Sequence, residues 1–388
     1  MNCCTSRPTL IDAVQQTDRQ RLADARRWVV KVGSALLTND GRGLDASVVK
    51  VLADQLAALR SRGCDVVLVS SGAIVAGLAR LNLAERPHEV HLSQAAAAVG
   101  QSALVRAYEE HLSPYGVTTA QILLSHADVR ARDRYLNARS TLSTLLAMNV
   151  LPIVNENDTV VTDEIRLGDN DTLAALVANL VDADALLILT DQDGLMDSDP
   201  RHSADAALIQ TADVHDSALD AIAGAGSALG RGGMATKLSA ARLAARSGTA
   251  TVIANGRQPD AVTQVAGGRS LGTFLQTQRQ PQSARKQWLA SLLHAQGSLM
   301  LDDGAVKGVS DQGRSLLPIG VVSVAGDFQR GDLVSCLDSA GRERARGLVN
   351  YSSEEAKALA GKASADIESV LGYRGEEELI HRDNLVGS

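Results

Sequence analysis

Five short runs of nearly uninterrupted apolar residues constrain this chain most: Trp28–Val32, Val66–Val69, Val150–Val154, Ala185–Leu189 and Thr251–Ala254. A strand with one face in water alternates apolar and polar residues. Runs this continuous belong to strands covered on both faces, the environment of a parallel sheet between helical layers. The stretches between the runs carry the helices that such a sheet needs. Val48, Val49, Leu52, Leu56 and Leu59 recur at helical spacing, with Asp45 as N-cap. An Ala-rich helix is expected from Leu92 to Tyr108, and others over Arg134–Met148, Asp171–Val181 and Met234–Arg246. Ile122–Leu124 reads as one more strand. The fold class is therefore α/β, a three-layer sandwich around a mostly parallel sheet. Aromatic residues are only 2% of the chain, so Ala, Val, Leu and Ile must build its core.

The pattern changes after residue 275. Gln276–Gln287, with a Pro and repeated Gln and Arg, has linker composition. Beyond it, Ser298–Leu301, Gly320–Val324, Leu333–Cys336 and Gly347–Asn350 are short β-type runs separated by Gly and Asp turns, as in a small β-rich domain. Ser352-Ser353-Glu354-Glu355 reads as a capping box opening a helix to about Leu359. The expected organisation is a flexible extension over 1–26, an α/β domain over 27–275, a linker over 276–287, a β-rich domain over 288–375 and a tail over 376–388. The 388 residues suffice for two or three domains. A formal charge of −7 gives no general attraction to nucleic acid or anionic membranes. Cys3, Cys4, Cys64 and Cys336 form no CxxC pair, so neither a zinc site nor a disulfide framework is expected. With no long apolar segment and no signal-peptide pattern, the expected compartment is the cytoplasm.

Ligands of such sheets bind beyond the carboxyl ends of the strands. The unusual polar clusters sit there. Asn155-Glu156-Asn157-Asp158 follows one apolar run, and Gly168-Asp169-Asn170-Asp171 opens the next helix. Lys31 closes the first run, and Lys237 lies in the helix after Gly230-Arg231-Gly232-Gly233. Two lysines with glycines nearby are what phosphoryl transfer requires, since that chemistry rests on positioned reactants and positive charge. No GxxxxGK[ST] loop is present, so this is not a Walker A site. Asp158, Asn155 and Asn170 could grip a substrate bearing an ammonium group and polar oxygens. Asp169 and Asp171 could orient the lysines or hold water around Mg²⁺. Thr190-Asp191, at a strand end, suits nucleotide contact. No histidine joins these clusters in sequence, and a carboxylate or phosphate acceptor needs no base because it is already ionised.

Val29–Ser34, Ser70–Ile74, Asn155–Asp158, Gly168–Asp171, Leu189–Asp191 and Gly232–Lys237 occur in the order found in the glutamate 5-kinase family, within the amino acid kinase superfamily. The chain resembles that family from about Trp28 to its end. Gly326–Val334 looks like part of the PUA domain that many bacterial members carry. The resemblance implies the amino acid kinase fold with a small PUA-like barrel, and ATP-dependent phosphorylation of the glutamate side chain as the first step of proline synthesis. It also implies Mg²⁺, inhibition by proline and a homo-oligomer, a dimer or tetramer. By matching motif, Lys31 and Lys237 contact the phosphates and Asp171 organises them as the catalytic group. Ser71, Asp158, Asn170 and Asn155 hold glutamate. Lys31, Thr190, Asp191, Arg231, Gly232, Gly233, Met234, Ala235, Thr236 and Lys237 line the ATP site. Arg231, Ala235 and Arg166 depart from the residues usual in the family. PUA domains commonly contact RNA, but Trp288–Ser388 carries 15 acidic and ten basic residues, which argues against phosphate contact. Arg342, Arg344 and Arg346 are the one local basic patch.

Overall fold

The computed structural model describes residues 19–38, 43–83, 85–161, 170–198, 203, 205–224, 233–277 and 295–387. Arg166, Gly168, Asp169, Arg231 and Gly232 lie outside them. The chain divides into two compact units, Met1–His126 with Thr141–Pro281, and Ala127–Ser140 with Gln282–Ser388.

The first unit is built on eight strands among the described residues. They are β1 (Arg27–Val32), β2 (Asp65–Ser70), β3 (Thr119–Leu124), β4 (Leu151–Glu156), β5 (Ala185–Thr190), β6 (Thr211–Asp213), β7 (Ala250–Asn255) and β8 (Thr273–Gln276). Their order is β3-β4-β2-β1-β5-β7-β8-β6. All neighbouring pairs are parallel except β7 and β8. The mostly parallel sheet expected from the apolar runs is present. Six helices matter for the site: α1 (Ala46–Ser61), α2 (Ala73–Arg80), α3 (Val90–Leu112), α4 (Asn170–Leu180), α5 (Met234–Ala245) and α6 (Ala261–Ala266). Asp45 caps α1 as expected, accepting from the N–H groups of Ser47 and Val48.

The period-2 geometry of β1 sorts its side chains between the two helical layers. Trp28, Val30 and Val32 share a core with Leu52 and Leu56 of α1, Leu104 and Tyr108 of α3 and Val262 of α6. Val29 and Lys31 point the other way, to the layer that holds α4 and α5. β1 pairs with β2 on one side and β5 on the other, so its carboxyl end opens at the middle of the sheet.

Two differences from the apolar pattern bear on the site. β4 runs to Glu156 rather than stopping at Val154, because β3 continues the ladder beside it, Leu123 opposite Asn155 and Leu124 opposite Glu156. Asn155 and Glu156 are thus strand residues, buried at 2% and 5% exposure. Also, α2 and α3 touch through their backbones. A Cβ at Gly77 would sit 1.7 Å from the Ala96 carbonyl oxygen, and one at Gly100 would sit 1.8 Å from that of Ala73. Only glycine fits at either contact.

The second unit contains a separate five-stranded sheet: β9 (Gly297–Leu301), β10 (Val321–Gly326), β11 (Leu333–Leu337), β12 (Glu343–Leu348) and β13 (Leu385–Gly387), in the order β10-β9-β11-β12-β13. β12 lies earlier than the apolar run Gly347–Asn350. Its charged half is drawn into the sheet by antiparallel pairing with β11, where side-chain pairs offset the polarity. Ser335 donates to Glu343 at 2.6 Å, and Glu343 binds Arg346 at 2.6 Å. Arg342 and Arg344 both donate to Asp338, at 2.9 and 2.8 Å. The three arginines of the local basic patch are thus each paired, with two carboxylates between them. Ser352 and Glu355 form the expected capping box at the start of Ser353–Leu359. Leu136, from the segment Ala127–Ser140, is buried with Leu333 and Leu348.

Candidate active site

Lys31 reaches across from β1 to Asp171 in the first turn of α4, Nζ to Oδ1 at 2.5 Å. Lys237, in the first turn of α5, approaches the other oxygen, Nζ to Oδ2 at 3.1 Å. All three side chains are buried, Asp171 to 1% exposure. Its place at a helix N-terminus suits a carboxylate. Burial works to raise the Asp171 pKa, but Lys31 and then Lys237 outweigh it and hold the carboxyl below its usual range. Thr236 adds a hydroxyl at 3.3 Å from Asp171 Oδ2 and donates to the Gly233 carbonyl at 2.7 Å. Two ammonium groups on one carboxylate give the trio a net positive charge, suited to receiving an anion. Breaking a buried ionic group by removing one member costs about 3–5 kcal/mol, so Asp171 holds the lysines as well as aiming them.

Asn170, the neighbour of Asp171, leads into a second group. Its Nδ2 donates to Ser71 Oγ at 2.8 Å and Asn155 Oδ1 at 3.1 Å, with the Ser70 carbonyl at 3.4 Å. Ser71 follows β2, and Gly72 after it takes φ 101° to open α2, a conformation that strains residues with a Cβ. Asn155 in turn donates from Nδ2 to Gln101 Oε1 at 2.8 Å. Gln101 was not among the residues expected at the site. Neither was Gln94, one turn pair earlier on α3, which donates to the Val161 carbonyl at 3.1 Å. Two glutamines seven residues apart share a helix face. In an otherwise Ala-rich stretch that spacing is the signal by which they could have been found.

Asp158 lies partly buried in the turn after β4, where Val160 N–H donates to the Asn157 carbonyl at 3.1 Å. Thr190 ends β5 and donates to Asp191 at 3.1 Å. Gly33 N–H donates to the Leu189 carbonyl at 3.3 Å, closing β1 against β5. Gly233 caps α5, and Met234 and Ala235 begin it. The structure thus gathers Lys31, Asp171, Thr236 and Lys237 in one group, and Ser71, Asn155 and Asn170 in another. Adjacent residues of α4 join the two. One expectation needs correction. A histidine does stand beside these clusters, His126 Nε2 lying 3.9 Å from Glu156 Oε2, because the chain leaving β3 runs alongside the end of β4. That separation is too long for a hydrogen bond.

Among the described residues no group of three His, Cys, Asp or Glu side chains could cage a metal ion. Both oxygens of Asp171 face lysines. The donor set fits a divalent cation carried on nucleotide phosphates, as Mg²⁺ usually is, rather than one fixed by the protein.

The amino acid kinase family matches residues 26–255, and the PUA domain matches residues 297–371. A protein of Chromohalobacter salexigens named glutamate 5-kinase is 59% identical over 372 residues, covering 96% of this chain and 98% of its own length. This chain belongs to the glutamate 5-kinase family. A second glutamate 5-kinase, from Saccharophagus degradans, is 59% identical over 368 residues, covering 95% and 99% of the two chains. That of Hahella chejuensis is 60% identical over 369 residues, covering 95% and 96%. The likeness to the glutamate 5-kinase family covers nearly the whole chain, and so extends through both units. No helix among the described residues is long and apolar enough to cross a membrane.

Proposed function

We propose that the chain transfers the γ-phosphoryl group of ATP to the side-chain carboxylate of L-glutamate, forming L-glutamyl 5-phosphate, the first step of proline synthesis. The observation that carries this reading is the joint between two groups at one helix start. Asp171 sits between two buried lysines, and Asn170 beside it holds Ser71 and Asn155. A phosphate-binding charge cluster next to an amide and hydroxyl cluster is what a kinase for a small polar carboxylate needs.

In this mechanism Lys31 and Lys237 bind the phosphates and neutralise charge as the γ-phosphoryl group moves. A glutamate carboxylate oxygen forms the new bond to γ-phosphorus while the bond to the β,γ-bridging oxygen breaks and ADP departs. The acceptor is already a carboxylate at neutral pH, so no general base is required. Catalysis then rests on positioning and charge, the usual division in phosphoryl transfer. Ser71, Asn155 and Asn170 hold the substrate, and Asp158 meets its α-ammonium. Thr190, Asp191 and the start of α5 contact the nucleotide, together with Arg231 and Gly232. Mg²⁺, when bound, would be held through the nucleotide phosphates and would offset their charge beside Lys31 and Lys237. Inhibition by proline, assembly into a dimer or tetramer and a cytoplasmic location belong to the same reading. The acidic balance of the second unit, 15 acidic against ten basic residues over Trp288–Ser388, weighs against RNA binding there.

The test is ATP consumption with glutamate, aspartate, acetylglutamate and glutamine in parallel, with hydroxylamine trapping the acyl phosphate. Turnover and a trapped hydroxamate with glutamate are expected. Robust turnover with acetylglutamate or aspartate and none with glutamate overturns the proposal.

A further inference from the structure

We infer that Asn255 is a positioning residue for the nucleotide side of the site, holding the segment that carries Asp191; the inference rests on the reading given under Proposed function. Asn255 ends β7 directly beside Thr190, the residue that ends β5. Its side-chain amide spans two partners, and neither leaves it a choice of direction. The Arg257 backbone N–H can only donate, and it donates to Asn255 Oδ1 at 2.9 Å. A carboxylate accepts, and that of Asp193 takes a hydrogen bond from Asn255 Nδ2 at 2.8 Å. An amide turned end for end would set donor against donor and acceptor against acceptor.

The backbone that carries this amide is held as firmly as its ends. Gly256 N–H donates to the Thr190 carbonyl at 2.9 Å. A Cβ at Gly256 would lie 2.5 Å from Leu36 Cδ1 and 3.2 Å from Leu189 Cβ, so the turn after β7 is pressed onto β5 and Leu36. Asn255 and Gly256 thus grip the chain leaving β5 at Thr190 and again at Asp193. Asp191 and Gln192, both exposed, lie between the two grips. Further on, Leu195 N–H donates to Oγ1 of the buried Thr273 in β8 at 2.8 Å. Among the described residues the Asp193 side chain has no other hydrogen bond or ion pair. An exposed tie of this kind adds little to folding stability. What it fixes is the course of a segment at the carboxyl ends of the strands, where ligands of such sheets bind. Releasing Asp193 would let the span from Thr190 swing, and the nucleotide contact of Asp191 with it.

The test uses the full chain and two readouts, calorimetric binding of the non-hydrolysable analogue AMP-PNP with Mg²⁺ and steady-state kinetics. Wild-type binding of the analogue without turnover of glutamate would defeat the functional reading alone, and binding would then judge the variants. A wild-type chain that binds no analogue overturns both. Asn255→Ala removes the tie without adding charge. It should raise the analogue Kd and the ATP KM about three- to tenfold, the effect of losing one hydrogen bond, with the glutamate KM within about twofold. Asn255→Asp sets two carboxylates face to face and should weaken the nucleotide at least as much. Adding Asp193→Asn to it rebuilds the pair with donor and acceptor exchanged, and should return both constants to within about twofold of wild type. The same Asp193→Asn added to Asn255→Ala should restore less than about twofold, which separates the tie from a general effect of charge on an anionic ligand. Unchanged nucleotide constants in Asn255→Ala, failure of Asp193→Asn to rescue Asn255→Asp, or an equal rise in the glutamate KM overturns the inference. If Asn255→Ala does not fold, the rescue of Asn255→Asp decides in its place.

Discussion

Lys237 is buried, ion-paired and carried in the first turn of a helix, so its ammonium is placed before substrate arrives. Its worth should appear mainly in the transition state, where charge on the moving phosphoryl group peaks. Lys237→Ala is expected to lower kcat by roughly a hundredfold or more, the range for removing a preorganised donor, with a smaller change in the ATP KM. A near-normal kcat with only a raised ATP KM would show that it merely binds nucleotide. Asp158 makes the opposite case. Losing a charge-assisted bond to the α-ammonium costs about 1.5–3 kcal/mol, or roughly 10- to 150-fold. Asp158→Ala should raise the glutamate KM by such a factor and leave that of ATP nearly unchanged. Asp171 governs pH behaviour. Its folded-state pKa is depressed, so its contribution to stability is complete above the ordinary carboxylate pKa and fades only as pH falls through the lower folded value. Thermal unfolding of Asp171→Asn should accordingly show a destabilisation that is full at neutral pH and shrinks on acidification below about 4.

At the scale of elements, the contact of α2 with α3 and the turn into β12 make separate predictions. Gly100→Ala forces a methyl against the Ala73 carbonyl and should cost about 1–3 kcal/mol or more in denaturant unfolding. It should also raise the glutamate KM, since it displaces the helix that carries Gln101. In the second unit, Asp338 is held at about 2, first by the Arg342 backbone N–H and then by the Arg344 side chain and further donors. The turn it organises should therefore be intact above about pH 4 and loosen as pH falls through about 2, which amide exchange across Asp338–Arg344 can follow. The central strands were legible in the sequence because burial on both faces leaves few polar residues in the five runs, Lys31 and Thr251 among them. The paired clusters were legible because a core has no use for Asn and Asp at strand ends. Gln101 was less so, since an amide in a helix looks the same whether it meets water or another amide, and only its spacing from Gln94 in an Ala-rich stretch marks it. β6, β8 and β13 were missed for a related reason: three or four residues carry too little pattern to mark a strand. The extension of β4 over Asn155 and Glu156 depended on its partner β3, which local sequence does not report.

For the whole molecule, every residue assigned to the site lies in the first unit. A chain ending near Gln282 is expected to retain ATP- and glutamate-dependent turnover. It should unfold at a lower temperature than the full chain, because Leu136 loses Leu333 and Leu348. Loss of turnover in a truncated chain that still folds would show that the second unit completes the active site. The lysine–carboxylate–lysine trio has one more consequence for a molecule that makes an acyl phosphate. Such a product acylates free amines, and the trio carries two, on Lys31 and Lys237. An ammonium has no lone pair to offer, so a carboxylate that keeps both lysines charged is expected to protect the catalyst from its own product. Asp171→Asn incubated with ATP and glutamate should slowly acquire a glutamyl adduct on one of the two lysines, visible by intact-mass and peptide mass spectrometry, while the wild-type chain stays unmodified.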